Sequence, residues 1–255
     1  MGWWGDGVKD SSSPPIPSIP FIPVTFLLLH LRNLRNLRIK LFMWDRIAPI
    51  YDLGMKLLML PFGGERAIRT RFLDAAGVAE GMRVLDIGCA TGVLTRLARE
   101  RVSDAGRAVG IDLAEGMVAH AQRAGEASGG RPTAFVCADA AQLPFPDESF
   151  DCVLSFMVLH ELEPEARAPA LRECHRVLAP GGCLAVADYA AASAGAPLLL
   201  RLMLKLFEPR WTAEFLRGAH LQAISSIFTI ERTASLLGSL IHVTVARKAT
   251  GGAGS

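Results

Sequence analysis

Three acids and the small residues around them are the part of this chain best suited to chemistry. Asp86-Ile87-Gly88-Cys89-Ala90-Thr91-Gly92 ends a short apolar run and opens a helical pattern. Small residues let a backbone turn sharply and approach a ligand, and the helix N-terminus behind them offers free N–H groups. An acid heading such a turn would repel a pyrophosphate, but it suits a ligand that carries an ammonium and a sulfonium. The dinucleotide fingerprint G-x-G-x-x-G fits poorly, because Gly88 is followed by Ala90 and Val93. Asp112 ends the next strand-like run, where a carboxylate can accept both hydroxyl protons of a ribose. Asp139 ends the third, where it can accept from an adenine amino group, with Ala140 beside it. Any one of these acids could be a mere capping or solvated Asp. Three at successive strand ends form a pattern, because ligands bind outside the carboxyl ends of parallel strands.

The elements that must position them alternate. RVLDIG (83–88), RAVGID (107–112), TAFVCAD (133–139), FDCVLSF (150–156) and CLAVADY (183–189) read as strands, the last after a turn at Pro180–Gly182. Helical spacing follows the first, second and fourth. Near-continuously apolar strands alternating with helices predict a parallel sheet covered on both faces. The closing SIFTIERTASLLGSLIHVTVARK (226–248) holds two strands with too short a link for a parallel crossover. The expected fold is therefore α/β: a Rossmann-like, seven-stranded, mostly parallel sheet with helices on both faces and a terminal antiparallel strand.

The 255 residues carry 27 basic and 25 acidic side chains, a balance that excludes a nucleic-acid-binding reading. With 51% hydrophobic residues and a mean hydropathy of +0.30, an apolar substrate or a nearby membrane surface is expected. The cysteines (Cys89, Cys137, Cys152, Cys174, Cys183) form no CxxC pair and no metal-ligand cluster, so no metal is expected. An odd, scattered set suits a reducing cytoplasm. His120, His175 and His220 fall in helical stretches as surface or packing residues.

Residues 1–42 differ from the rest. MGWWGDGVKDSSSPPIPSIPFIP is Gly/Ser/Pro-rich, a composition expected to be disordered. HLRNLRNLRIKLF places Leu31, Leu34, Leu37 and Leu41 near one helical face between arginines, a pattern that can lie on an anionic membrane. The same residues also read as a dispensable tail or an over-extended start before Met43. Pro17, Pro20 and Pro23 interrupt the apolar stretch 16–31, which reads as neither a membrane span nor a signal peptide. The expected organisation is an extension over 1–42, one domain over 43–248 and a flexible tail over 249–255.

VLDIGCATG, VGIDLAEGM, CADAAQLPFPDESFDCVLSFMVLHEL and LRECHRVLAPGG, in this order and spacing, resemble the class I S-adenosylmethionine-dependent methyltransferases over roughly residues 43–248. MWDRIAPIYDLGMKLLML and the closing LLGSLIHVTVARK are most similar to the C-methyltransferases of ubiquinone and menaquinone biosynthesis. Phospholipid N-methyltransferases share the opening segment. The resemblance implies S-adenosylmethionine as cofactor. Gly88, Ala90 and Gly92 would line its methionine part, Asp86 would head the turn, Asp112 and Leu113 would serve the ribose, and Asp139 with Ala140 the adenine. Tyr51 would close over the cofactor. Ala90 departs from the family's G-x-G-x-G. With φ taken as negative its methyl group is a small steric cost, so weaker but not absent cofactor binding is expected.

His160, in MVLHEL, falls where the resemblance puts the reactive methyl group against the acceptor. An imidazole there could take the proton of a phenol or hydroquinone; equally, it could pack or cap the following helix. Methyl transfer itself needs little beyond alignment and desolvation. No Asp/Asn-Pro-Pro-Tyr follows the fourth strand, as amino methylation of DNA bases would require. No Asp…Asp-Asn set suggests a metal-dependent catechol O-methyltransferase. AGAPLLLRLMLKLFEPRW (194–211), apolar on almost every side with Arg201 and Lys205 four apart, is the expected substrate-recognition insert, a membrane-resting helix or a core helix. The leading expectation is methyl transfer to a lipophilic small molecule at a quinone-type ring carbon. Alternatives are a phospholipid amine or another hydroxyl or amine as acceptor, and a catalytically silent cofactor-binding partner in a biosynthetic complex. A dehydrogenase is disfavoured by the glycine spacing and the terminal strand pair. Oligomeric state is not encoded in any of these features.

Overall fold

The computed structural model describes residues 50–57, 59–190, 218–237 and 240–250. The apolar runs form β1 (Arg83–Ile87), β2 (Arg107–Asp112), β3 (Ala134–Cys137), β4 (Phe150–Phe156) and β5 (Leu178–Tyr189). Helix α1 (Glu65–Ala76) precedes β1, while α2 (Val93–Val102), α3 (Glu115–Ala127) and α4 (Pro164–Val177) follow β1, β2 and β4. A short α5 (His220–Ser225) leads into β6 (Thr229–Ser235) and β7 (Ile241–Arg247). Residues 50–57, before α1, are also helical.

The seven strands make one sheet in the order β3-β2-β1-β4-β5-β7-β6. Strands β1 to β5 pair in parallel, and β7 runs antiparallel between β5 and β6. The chain's last strand thus lies one position inside the sheet. Its side chains are largely buried, whereas TIERTAS of β6 forms an exposed, polar edge that blunts strand-to-strand association.

Successive strand residues point to opposite faces, and two cores result. On one face Val84, Leu94, Ala98 and Cys152 pack with Ile68 and Phe72 of α1. On the other, Leu85, Val153 and Leu184 pack with Leu171, Ile224 and Phe228 from α4 and the α5 region. Gly110 lets the β1–α2 connection sit directly on β2. A Cβ there would lie 2.7 Å from Thr95 Oγ1 and 2.9 Å from Cys89 Cβ.

One boundary differs from the sequence reading. β5 starts at Leu178, straight off α4, because Leu178 pairs with Phe150 before a register shift to Cys152–Cys183. The Pro180–Gly182 turn is an irregularity inside the strand, with Gly181 at φ +74°. The extension over 1–42, the insert 194–211 and residues 251–255 of the tail lie outside the described residues.

Candidate active site

The strand order reverses between β1 and β4: β2 and β3 stack to one side of β1, and β5 to the other. The carboxyl ends of β1 and β4 part at such a switch point and leave a crevice. A pocket opens there, lined by Gly88, Cys89 and Ala90 after β1, Phe156 and Met157 at the end of β4, and Asp86 beneath. Tyr51 and Met55, from the helical residues 50–57, and Arg69 of α1 complete the wall.

Asp86 is 1% exposed, and its Oδ2 accepts a 2.6 Å hydrogen bond from Thr95 Oγ1 on α2. Burial pushes its carboxyl up to about 7, against the opposing pull of the Thr95 hydroxyl and the Arg69 guanidinium. A cation delivered beside it would restore the ionised form. Sequence reasoning missed Arg69. Nε and Nη2 donate to Glu65 Oε1 at 3.0 and 2.8 Å, and the guanidinium lies 4.9 Å from the centre of the Phe156 ring. A signal existed: Glu65 and Arg69 share the helix face of Phe72 and Ala76, so a charged pair interrupts an apolar stripe.

The turn itself is built on left-handed backbone. Gly88, Ala90 and Gly92 have φ of +65°, +48° and +76°. A Cβ on Gly88 would meet Val158 Cγ2 at 2.5 Å, and one on Gly92 would meet the Phe135 ring at the same distance. The expectation of a negative φ at Ala90 is therefore wrong. A non-glycine residue is held in the left-handed region, a cost of about 1 kcal/mol, within the β1–α2 turn.

Asp112 bridges two elements. Its Oδ2 accepts the Ala90 N–H and its Oδ1 the Ala114 N–H, both at 2.9 Å, so the acid ties the β1–α2 turn to the start of α3. Leu113 follows it, with its carbonyl accepting from the Cys137 thiol. Asp139 Oδ1 accepts the Ala141 N–H at 2.8 Å, and Ala140 packs on the second core beside it. Asp86, Asp112 and Asp139 thus stand at the ends of adjacent β1, β2 and β3. Strands are about 4.8 Å apart, so the row spans roughly 10 Å, the scale of a nucleoside joined to an amino acid. Tyr51 also packs with Ala90, Ala114 and Met117, and burial raises its phenol.

His160 lies past β4 and is 3% exposed. Its Nδ1 is 2.8 Å from Asp188 Oδ1 on β5, and its ring stacks edge-on against Tyr189 at 4.8 Å. Met157, between β4 and His160, has φ +59° and donates its N–H to the Ala187 carbonyl. Of the other histidines, His120 faces Asp52 at 3.4 Å, His175 packs on Phe228 and His220 is buried. Cys89 is the cysteine in the pocket wall, its thiol pushed up by burial beside Asp86 and Asp112. Among the described residues no three His, Cys, Asp or Glu side chains are grouped to hold a metal.

Residues 84–182 match the family profile described as a methyltransferase domain. A demethylmenaquinone methyltransferase of Thermus thermophilus is 41% identical over 155 residues, 60% of this chain and 67% of that protein. A ubiquinone/menaquinone biosynthesis C-methyltransferase of Hahella chejuensis is 36% identical over 148 residues, 58% of each chain. The crystal structure of a SAM-dependent methyltransferase from Aquifex aeolicus aligns with a TM-score of 0.55 at 21% identity, covering 71% of this chain and 89% of that one.

Proposed function

We propose methyl transfer to a ring carbon of a lipophilic quinol, on the premise that the chain belongs to the class I S-adenosylmethionine-dependent methyltransferases, in the ubiquinone and menaquinone C-methyltransferase family. The observation that carries the reading is the mixed lining of the pocket, in which buried Asp86 and Arg69 share the wall with apolar Met55, Phe156 and Met157. The charged pair matches an amino-acid zwitterion: Asp86 takes the ammonium and Arg69 the carboxylate. Gly88, Ala90 and Gly92 bring backbone against the methionine part, Asp112 and Leu113 receive the ribose, Asp139 and Ala140 the adenine, and Tyr51 covers the whole.

S-adenosylmethionine supplies a methyl group on a positively charged sulfur, with a neutral thioether as leaving group. The chain's residues supply alignment and a water-poor wall. The acceptor is the reduced ring, because a quinone is too electron-poor to attack. His160 takes a hydroxyl proton from the quinol, and the electron pair released enters the ring. With the cofactor held by these residues, the ring carbon would take the methyl group, and the neutral thioether would leave with the electrons of the broken S–C bond. The carbon then sheds its hydrogen as a proton to solvent, the ring regains aromaticity as a phenolate, and the imidazolium returns its proton to that oxygen.

Peripheral contact with a membrane on its cytoplasmic side suits such an acceptor. Ile50, Leu53 and Leu57 are exposed at helical spacing on the segment whose Tyr51 and Met55 line the pocket, Leu60 is exposed just beyond it, and the cysteines are thiols outside any disulfide. Among the described residues no helix is long and apolar enough to cross a membrane. The test is an acceptor panel with methyl-labelled cofactor and purified protein: reduced demethylmenaquinone, its oxidised form and phosphatidylethanolamine. Label in the reduced quinone alone is the expected result. Label in the phospholipid, or in none of the three with cofactor bound, would replace this reading with the amine acceptor or the silent partner.

A further inference from the structure

The loop carrying His160 is held from three directions. Met157 N–H donates to Ala187 O at 2.8 Å, Arg167 Nε donates to the Leu159 and Leu162 carbonyls at 3.2 and 3.1 Å, and Asp188 meets His160 itself. Asp188 is 2% exposed and receives three donors. The Tyr189 N–H reaches Oδ1 at 2.8 Å, the His160 backbone N–H reaches Oδ2 at 3.3 Å, and His160 Nδ1 lies 2.8 Å from Oδ1. A carboxylate accepts and does not donate, so the proton between the two side chains sits on Nδ1. Nε2 is then the nitrogen with a lone pair. Glu161 Oε1 is 3.7 Å from it, and the Tyr189 ring lies edge-on against the imidazole.

We infer that Asp188 is the positioning residue of this methyltransferase: it fixes the His160 imidazole in the Nδ1–H tautomer and presents Nε2 as the base for the acceptor hydroxyl. The inference rests on the reading of His160 as base. Without Asp188 the ring can turn or change tautomer, and the imidazolium formed as the acceptor loses its proton has no buried partner charge. Asp188 acts through His160 alone and touches neither cofactor nor acceptor. Among the described residues, the charged and titratable groups seen against the imidazole include Asp188 and Tyr189 of β5 and Glu161 of its own loop, while Arg167 of α4 holds the loop through its carbonyls.

The experiment compares the full chain with Asp188→Asn, Asp188→Glu and His160→Ala, using reduced demethylmenaquinone as probe. For Asp188→Asn, kcat falls roughly ten- to hundredfold, while KM and the S-adenosylmethionine Kd stay within about twofold. The acidic limb of its kcat/KM profile moves down by about one pH unit. Asp188→Glu recovers part of the loss, and Asp188→Asn adds little further loss in a His160→Ala background. In the wild-type protein, nitrogen NMR of labelled histidine shows His160 protonated on Nδ1 and bare at Nε2 above the limb. Should Asp188→Asn fail to fold, this spectrum decides by itself, and the opposite tautomer overturns the inference. Unchanged kcat and an unmoved limb in Asp188→Asn also overturn it, provided His160→Ala is impaired. Full turnover by His160→Ala removes instead the reading of His160 as base, and Asp188's role with it.

Discussion

Asp86 sets the charge logic of the site. Its carboxyl, pushed up to about 7 by burial, holds a proton that the unfolded chain gives up near 3.8. Its contribution to stability is therefore full below about 3.8 and is lost as pH rises through about 7 in the unliganded protein. A cationic cofactor needs the ionised acid, so binding releases a proton below that point. S-adenosylmethionine affinity should rise with pH by up to roughly tenfold per unit below about 7. It should fall again above about 8, as the cofactor's own amino group is neutralised. Titration calorimetry across this range measures it, and Asp86→Asn should flatten the acidic side. A flat wild-type profile would mean that Asp86 does not meet the ammonium. Asp86, Asp112 and Asp139 were legible because a strand-end acid needs only the strand to be recognised. Arg69 and Asp188 were not, since each meets the site from an element, α1 or β5, whose placement beside it no local pattern encodes.

At the scale of elements, the β1–α2 turn is the part that sequence reasoning located correctly and described wrongly. Its three small residues were legible from spacing; the sign of φ at Ala90 was not, because it depends on how Asp112 pulls the Ala90 N–H toward β2. Glycine adopts this backbone without strain. Ala90→Gly should therefore stabilise the protein by about 1 kcal/mol, raising Tm by roughly 2–4 °C, and tighten cofactor binding. Calorimetric unfolding with and without cofactor tests this; unchanged Tm and Kd would show the turn to be relaxed with alanine in place. The strands were read to within a residue or two where apolar runs end at a turn. β5 began earlier than expected because pairing with Phe150 carries the strand through a Pro-Gly-Gly stretch that looks like a turn in isolation.

On the scale of the whole molecule, one topological fact places everything else. The reversal of strand order between β1 and β4 puts three acids on one side of the crevice and the His160–Asp188 pair on the other. Cofactor and acceptor can thus meet end to end over β1 and β4. The mostly parallel sheet with its antiparallel strand was legible because a short terminal link forbids a crossover, but the insertion of β7 between β5 and β6 was not, being a matter of which edge the hairpin joins. The proposed reaction makes a single demand of this platform: the methyl group must leave sulfur and arrive on carbon. The most direct measurement is carbon NMR of the product formed from methyl-carbon-13 S-adenosylmethionine and reduced demethylmenaquinone. The label should appear as a methyl bound to an aromatic ring carbon; label on oxygen, or cofactor bound without any labelled product, would contradict the assignment.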